Sequence, residues 1–152
     1  MTHLSLTFVD NGTGHNDMVL QLAGRSWACD SYYLALDDGV LPSTDCSTKI
    51  RAVLRRLLAQ WLEAVREVRT GDMAFLPYDF SDQYTGWLRC TRTSDRFLVA
   101  RGWSSVEGWS FAPSCIDVYA HKLDDFRIDG ASIEMSSQEL HKSVNESISR
   151  AA

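Results

Sequence analysis

The sequence predicts an α+β fold: a mostly antiparallel sheet with one long helix (about 48–70) packed on it and a short C-terminal helix. Three observations carry this expectation. Apolar residues recur at spacings of three and four from Ile50 to Val68. Alternation of period two flanks that stretch on both sides. The strands cluster before and after the helix instead of alternating with helices, which favours antiparallel pairing with helices on one face.

Taken in order, Leu4, Leu6 and Phe8 alternate with Ser5 and Thr7 as a half-buried strand does. Residues 10–17 are polar, hold two glycines and read as a loop. Met18, Leu20 and Leu22 alternate again and complete a hairpin. Residues 26–36 are rich in aromatic and apolar groups and are expected to form one or two more strands, closed by Asp37, Asp38 and Gly39.

The helix carries Ile50, Val53, Leu54, Leu57, Leu58, Trp61, Leu62, Val65 and Val68 on one stripe. Ser47 or Thr48 is the expected N-cap, and Gly71 sits where a left-handed C-cap residue belongs. Pro42 and Pro77 lie outside it, as a helix interior requires. At 1.5 Å per residue it spans roughly 35 Å, enough to cross a sheet.

Beyond the helix, residues 73–80 read as a strand whose Pro77 marks an edge or a bulge. Residues 86–102 read as a hairpin turning at Ser94–Asp95. That turn sets Cys90 opposite Val99, Arg92 opposite Phe97 and Leu88 opposite Arg101, with Leu88, Cys90, Phe97 and Val99 on the core face. Cys115–Tyr119 and Ala131–Met135 are expected to be short strands. Ser136 and Glu139 have capping-box spacing, and Leu140, Val144 and Ile148 follow at spacing four, so a helix starts there.

The chain of 152 residues fits a single globular domain, 1–152, and its composition is that of a folded protein. Met1–His3 lack a basic leader and no stretch approaches a membrane helix, so a cytoplasmic protein without a membrane partner is expected. The net charge of −5 conceals a segregation. Residues 48–70 carry six basic and two acidic side chains, and 84–103 a further basic surplus. The acidic excess lies in 1–47, 72–83 and 107–139. Lys49 and Arg51 in the first helical turn oppose the helix dipole; Asp37, Asp38 or Asp45, or an acidic partner, can offset that cost.

Recognised catalytic and cofactor motifs are missing. There is no GxSxG, GxGxxG or Walker pattern, and Gly12–Gly14 sits in a hairpin loop. His3, His15, His121 and His141 are scattered, and Cys29, Cys46, Cys90 and Cys115 contain no close pair, so neither a metal nor a cofactor is expected. Free cysteines usually act as small hydrophobes. Cys29, beside Asp30, is the nearest thing to a nucleophile, with His15 or His121 as its base. The carboxylate pairs Asp79/Asp82 and Asp124/Asp125 are equally ordinary as turn residues.

What remains is a non-catalytic protein-binding module, in its most concrete form an immunity-type or inhibitor protein that neutralises a basic toxin or enzyme. Acidic surfaces repel nucleic acid and steer cationic partners, and tryptophans beside an acidic loop suit an interface anchor. The expected contact set is Asp79, Asp82, Trp103, Glu107 and Trp109. The alternatives are a small hydrolase using Cys29 or a carboxylate pair, and an oligomeric accessory or structural protein, including a homodimer.

Overall fold

A computed structural model describes residues 4–40 and 46–152. Two antiparallel sheets form where the alternating segments pair. The first has the order β1 (Leu4–Phe8), β2 (Met18–Leu22) and β3 (Arg25–Cys29). The second runs β4 (Met73–Phe80), β5 (Thr85–Thr93), β6 (Arg96–Ser104) and β7 (Arg127–Ser136). Four helices complete the fold: α1 (Tyr32–Ala35), α2 (Cys46–Glu67), α3 (Asp117–Ala120) and α4 (Ser137–Arg150).

The single expected sheet is thus split in two, and α2 lies between the parts. Its stripe of Val53, Leu54, Leu57, Leu58, Trp61 and Val65 is fully buried. One apolar core joins that stripe to Leu6, Leu20 and Leu22 of the first sheet and to Leu76, Leu88, Cys90, Phe97 and Val99 of the second. The stripe is wide because it faces two surfaces rather than one.

Polar ties fix the helix in place. The Trp61 indole donates to the Pro77 carbonyl at 3.0 Å. Buried Gln60 donates to the Pro113 carbonyl and accepts from Ile116 N–H, both at 2.9 Å. The Arg92 guanidinium donates to the Val68 carbonyl at 2.8 Å, just past the C-terminus. The helix therefore ends at Glu67, three residues earlier than expected. Gly71, at φ +92°, serves the turn into β4, its N–H bonded to the Arg92 carbonyl. Ser47 and Thr48 lie inside the first turn rather than at the cap. The preceding residues, with Pro42 and Asp45, lie outside those described. The cationic first turn finds its counter-charge in Asp38, 3.8 Å from buried Lys49.

The β5–β6 register matches expectation pair for pair: Cys90 opposite Val99, Arg92 opposite Phe97, Leu88 opposite Arg101. Ser136 caps α4 through a complete capping box with Glu139. The edge strand β1 is shielded by α4, whose Ser147 hydroxyl accepts from Leu6 N–H at 3.2 Å.

Two segments differ from expectation. Within 26–36, β3 occupies the first half and α1 the second. Residues 115–119 are not a strand but lead into α3: Ile116 and Ala120, four apart, are buried, while Val118 is 67% exposed. Alternation would have buried Ile116 and Val118 together. This stretch belongs to the long β6–β7 connection, which covers part of the outer face of the second sheet. There Phe75, Trp87 and Leu123 form a separate cluster with Phe111, Tyr119 and Phe126.

These contacts rank two substitutions. Leu57→Ala should cost about 2–5 kcal/mol and Ser136→Ala about 1 kcal/mol, read from urea denaturation midpoints. Equal costs would contradict the central position of α2.

Candidate functional surface

Register irregularities shape one end of the second sheet. Between Pro77 and Asp79 the β4–β5 pairing slips, so Asp79 rather than Tyr78 stands opposite Gly86. A second slip lies between Ala100 and Gly102 on the β6–β7 side. Bulges of this kind re-aim side chains. Here the inner-face positions beyond Leu76, Leu88 and Val99 are taken by Asp79, Gly86, Arg101 and Trp103. A cleft of about 450 Å³ opens there, lined by Tyr78, Asp79, Tyr84, Arg101, Trp103 and Asp129 among others.

Arg101 is held from several sides. It pairs with Asp129, lies 4.2 Å from the Trp27 ring centroid and 5.9 Å from that of Tyr78. Asp79 has no such partner: among the described residues it forms no ion pair. It accepts from the Ser81 hydroxyl at 3.3 Å. Burial pushes its carboxyl up to about 6; the Ser81 hydrogen bond opposes this, the Asp30 charge adds to it, and Arg101 and Tyr84 work the other way.

Asp82 lies in the β4–β5 turn, exposed, and accepts a hydrogen bond from the Tyr33 hydroxyl, which pushes that phenol up to about 12. Asp82, Tyr33, Tyr32, His15 and Asp30 line a neighbouring polar groove. Tyr33 also borders a third hollow with Leu36, Asp38 and Trp109. The three depressions adjoin through the end of β4 and through Tyr33.

Trp109 is 61% exposed, on a turn in the β6–β7 connection. That turn is seated by Gly108, whose N–H donates to the Ser81 carbonyl at 2.7 Å. A Cβ on Gly108 would stand 2.5 Å from that oxygen, so only glycine fits. Glu107 is exposed on the same turn, its carbonyl accepting from Ser110. Trp103 is in β6 rather than in a loop, 38% exposed, with the Arg127 guanidinium 5.0 Å over its ring.

The structure thus brings Asp79 and Trp103 into one cleft. It sets Asp82 and Trp109 in the adjoining hollows and leaves Glu107 on the turn beside Trp109. Sequence reasoning missed Arg101, Asp129, Tyr33 and Tyr84. Arg101 left a trace, since the hairpin register already placed a charge at a core-face position, where unpaired charge is costly.

Two other candidates, Cys29 and Asp125, are held in internal contacts. The Cys29 thiol is buried and donates to the Tyr78 carbonyl at 3.6 Å. Desolvation, then Asp79, Asp30 and Asp17, push it well above the ordinary thiol value, the reverse of what a nucleophile needs. Cys90 is buried as well, whereas Cys46 and Cys115 are exposed. Asp125 takes hydrogen bonds from Ser104 and Ser105; burial acts to raise its carboxyl, but those bonds outweigh it and hold it below the usual value. Among the described residues no three His, Cys, Asp or Glu side chains converge as a metal-ligand set, and no helix is long and apolar enough to cross a membrane.

In comparisons with known proteins the chain matches no family model, no curated protein and no solved structure.

Asp79 gives a pH test. Its native value, about 6, lies above the ordinary 3.8, so the folded state binds a proton more tightly than the unfolded chain. Stability therefore falls as pH rises from about 4 to 6 and stays lowered above that. Asp79→Asn should be more stable than the parent by roughly 1–3 kcal/mol at pH 8, with the gap closing near pH 4. Denaturant unfolding at both pH values measures it; a gap independent of pH would refute the assignment.

Proposed function

We propose that the protein is a non-catalytic binding protein that docks a basic protein partner, in the manner of an immunity or inhibitor protein capping a toxin or enzyme. The observation that carries this reading is the half-buried, ion-pair-free Asp79 within a surface of carboxylates and exposed rings. Desolvating a carboxylate without a counter-ion costs stability. A cationic partner would supply the missing charge. Asp30, Asp38 and Asp82 extend the negative field around it, and Tyr32, Tyr84, Trp103 and Trp109 are exposed among them. Interfaces draw their energy from such aromatic anchors and their association rate from such charges.

The depressions offer carboxylates and exposed rings, groups that suit recognition. The buried thiol of Cys29 and the hydrogen-bonded Asp125 weigh against the hydrolase alternative at those two residues; Asp79 and Asp82 are its remaining carboxylate pair. His15 lies 3.4 Å from Asp30 and stacks near Tyr32, an arrangement that suits a surface contact.

The test is kinetic. A partner captured on immobilised protein should be basic, and Asp82→Lys with Glu107→Lys should slow its association about tenfold or more at low salt, with the difference shrinking as salt rises. Trp109→Ala should leave association near parental and speed dissociation, at a cost of about 2–4 kcal/mol in affinity. Association rates unchanged by the double charge reversal would overturn the reading.

A further inference from the structure

We propose that the cleft at the bulged end of the second sheet is an anchor pocket for one arginine side chain of the protein partner, with Asp79 receiving the guanidinium and Tyr84 and Trp103 forming its aromatic rim. This rests on the reading of the protein as a binder of basic partners and names the chemical group that one site selects.

Size is the first argument. At about 450 Å³ the cleft lies in the lower part of the range for small-ligand sites, roughly 300–1,000 Å³. A space of that size suits one long side chain.

Charge is the second. Asp79 and Asp129 face Arg101 in the lining, with the Arg127 guanidinium over the Trp103 ring at the rim, and Asp30, the residue after β3, adds a further negative charge beside Asp79. Among the described residues Arg101 forms no ion pair with Asp79: it pairs with Asp129 and lies against the Trp27 and Tyr78 rings, its Nε has no hydrogen-bond partner, and it acts on Asp79 only through its charge. A carboxylate has about four acceptor positions, and hydroxyls from Ser81 and Tyr84 are weak substitutes for a cation. Gly86 has a specific part: a Cβ there would lie 2.8 Å from the Tyr78 ring and 3.0 Å from Asp79 Cβ, so its absence lets both side chains lie against β5.

Arginine is favoured over lysine by the walls. A guanidinium is planar, is weakly hydrated, stacks on rings and meets a carboxylate through two parallel hydrogen bonds. An ammonium does none of this as well. The chain uses the same chemistry internally, with Arg101 against Trp27 and Arg127 over Trp103.

The test uses N-acetyl-arginine methylamide as the probe, with the lysine and norleucine analogues as controls, titrated into the intact protein and followed by the indole and amide resonances. The arginine probe should bind saturably with a Kd of roughly millimolar order and shift the Trp103 indole and the Tyr84 region. The lysine analogue should bind more weakly, and norleucine should not saturate. Asp79→Asn should weaken the arginine probe about tenfold or more. Asp95→Asn, in the turn between β5 and β6 at the opposite end of the sheet, should leave it unchanged. Tyr84→Ala gives a second variant should Asp79→Asn alter the spectrum of the free protein. Non-saturating shifts, equal binding of norleucine, or arginine binding indifferent to both Asp79→Asn and Tyr84→Ala would overturn the pocket. If a basic partner binds Asp79→Asn as tightly as the parent, the pocket falls while the protein-binding reading stands. If the arginine probe binds as described but no basic partner is found, the pocket stands and the wider reading falls.

Discussion

The hydrogen bond from the Trp61 indole to the Pro77 carbonyl joins the two features on which the structure depends. Proline has no N–H to give to a ladder, and the pairing of β4 slips directly after it. The helix takes up the carbonyl there, so a disrupted stretch of strand keeps a partner for a buried acceptor. The slip reverses which residues face inward. Asp79 turns toward the inner side beside Tyr78, while Phe80, opposite Thr85, meets Phe111 at 5.4 Å between ring centroids. Core and cleft are two results of the same irregularity: one side gains an aromatic contact and the other a carboxylate.

The two faces of the second sheet are completed in different ways. Helix α2 covers the inner face only as far as the apolar pairs reach. Past them the inner positions become polar and the cleft opens. The outer face is covered by the β6–β7 connection around Trp87, which stacks on Phe111 at 5.6 Å and whose N–H is bonded to Thr85 at 2.7 Å, while Leu98 farther along that face is 40% exposed. The Gln60 amide links this cover back to α2, so the helix organises parts of the chain on both sides of the sheet.

Much of the fold was legible in the sequence because it rests on local pattern. The stripe from Ile50 to Val65, the β5–β6 register and the Ser136 cap follow from periodicity and turn chemistry. The division into two sheets was not legible, since alternation shows which residues face inward and not which strands pair. Residues 115–119 misled because Ile116 and Val118 look alike in a period-two pattern, while Gln60 binds the Ile116 N–H from a distance of 56 positions along the chain. The candidate surface was legible in part. Asp79, Asp82 and Trp109 stand out by charge and by type. Arg101, Asp129, Tyr33 and Tyr84 reach it only through the register slips and through α1, which depend on contacts between distant segments.

The contact between Gly108 and Ser81 has a mechanical consequence. It fastens the turn bearing Trp109 to the turn bearing Asp82, and the Tyr33 hydroxyl ties α1 to that same aspartate. Three connecting segments are thereby braced into one platform before any encounter. Were a second molecule to dock there, as proposed, little chain entropy would remain to be lost, and preorganisation of this sort lengthens the lifetime of a complex more than it hastens its formation.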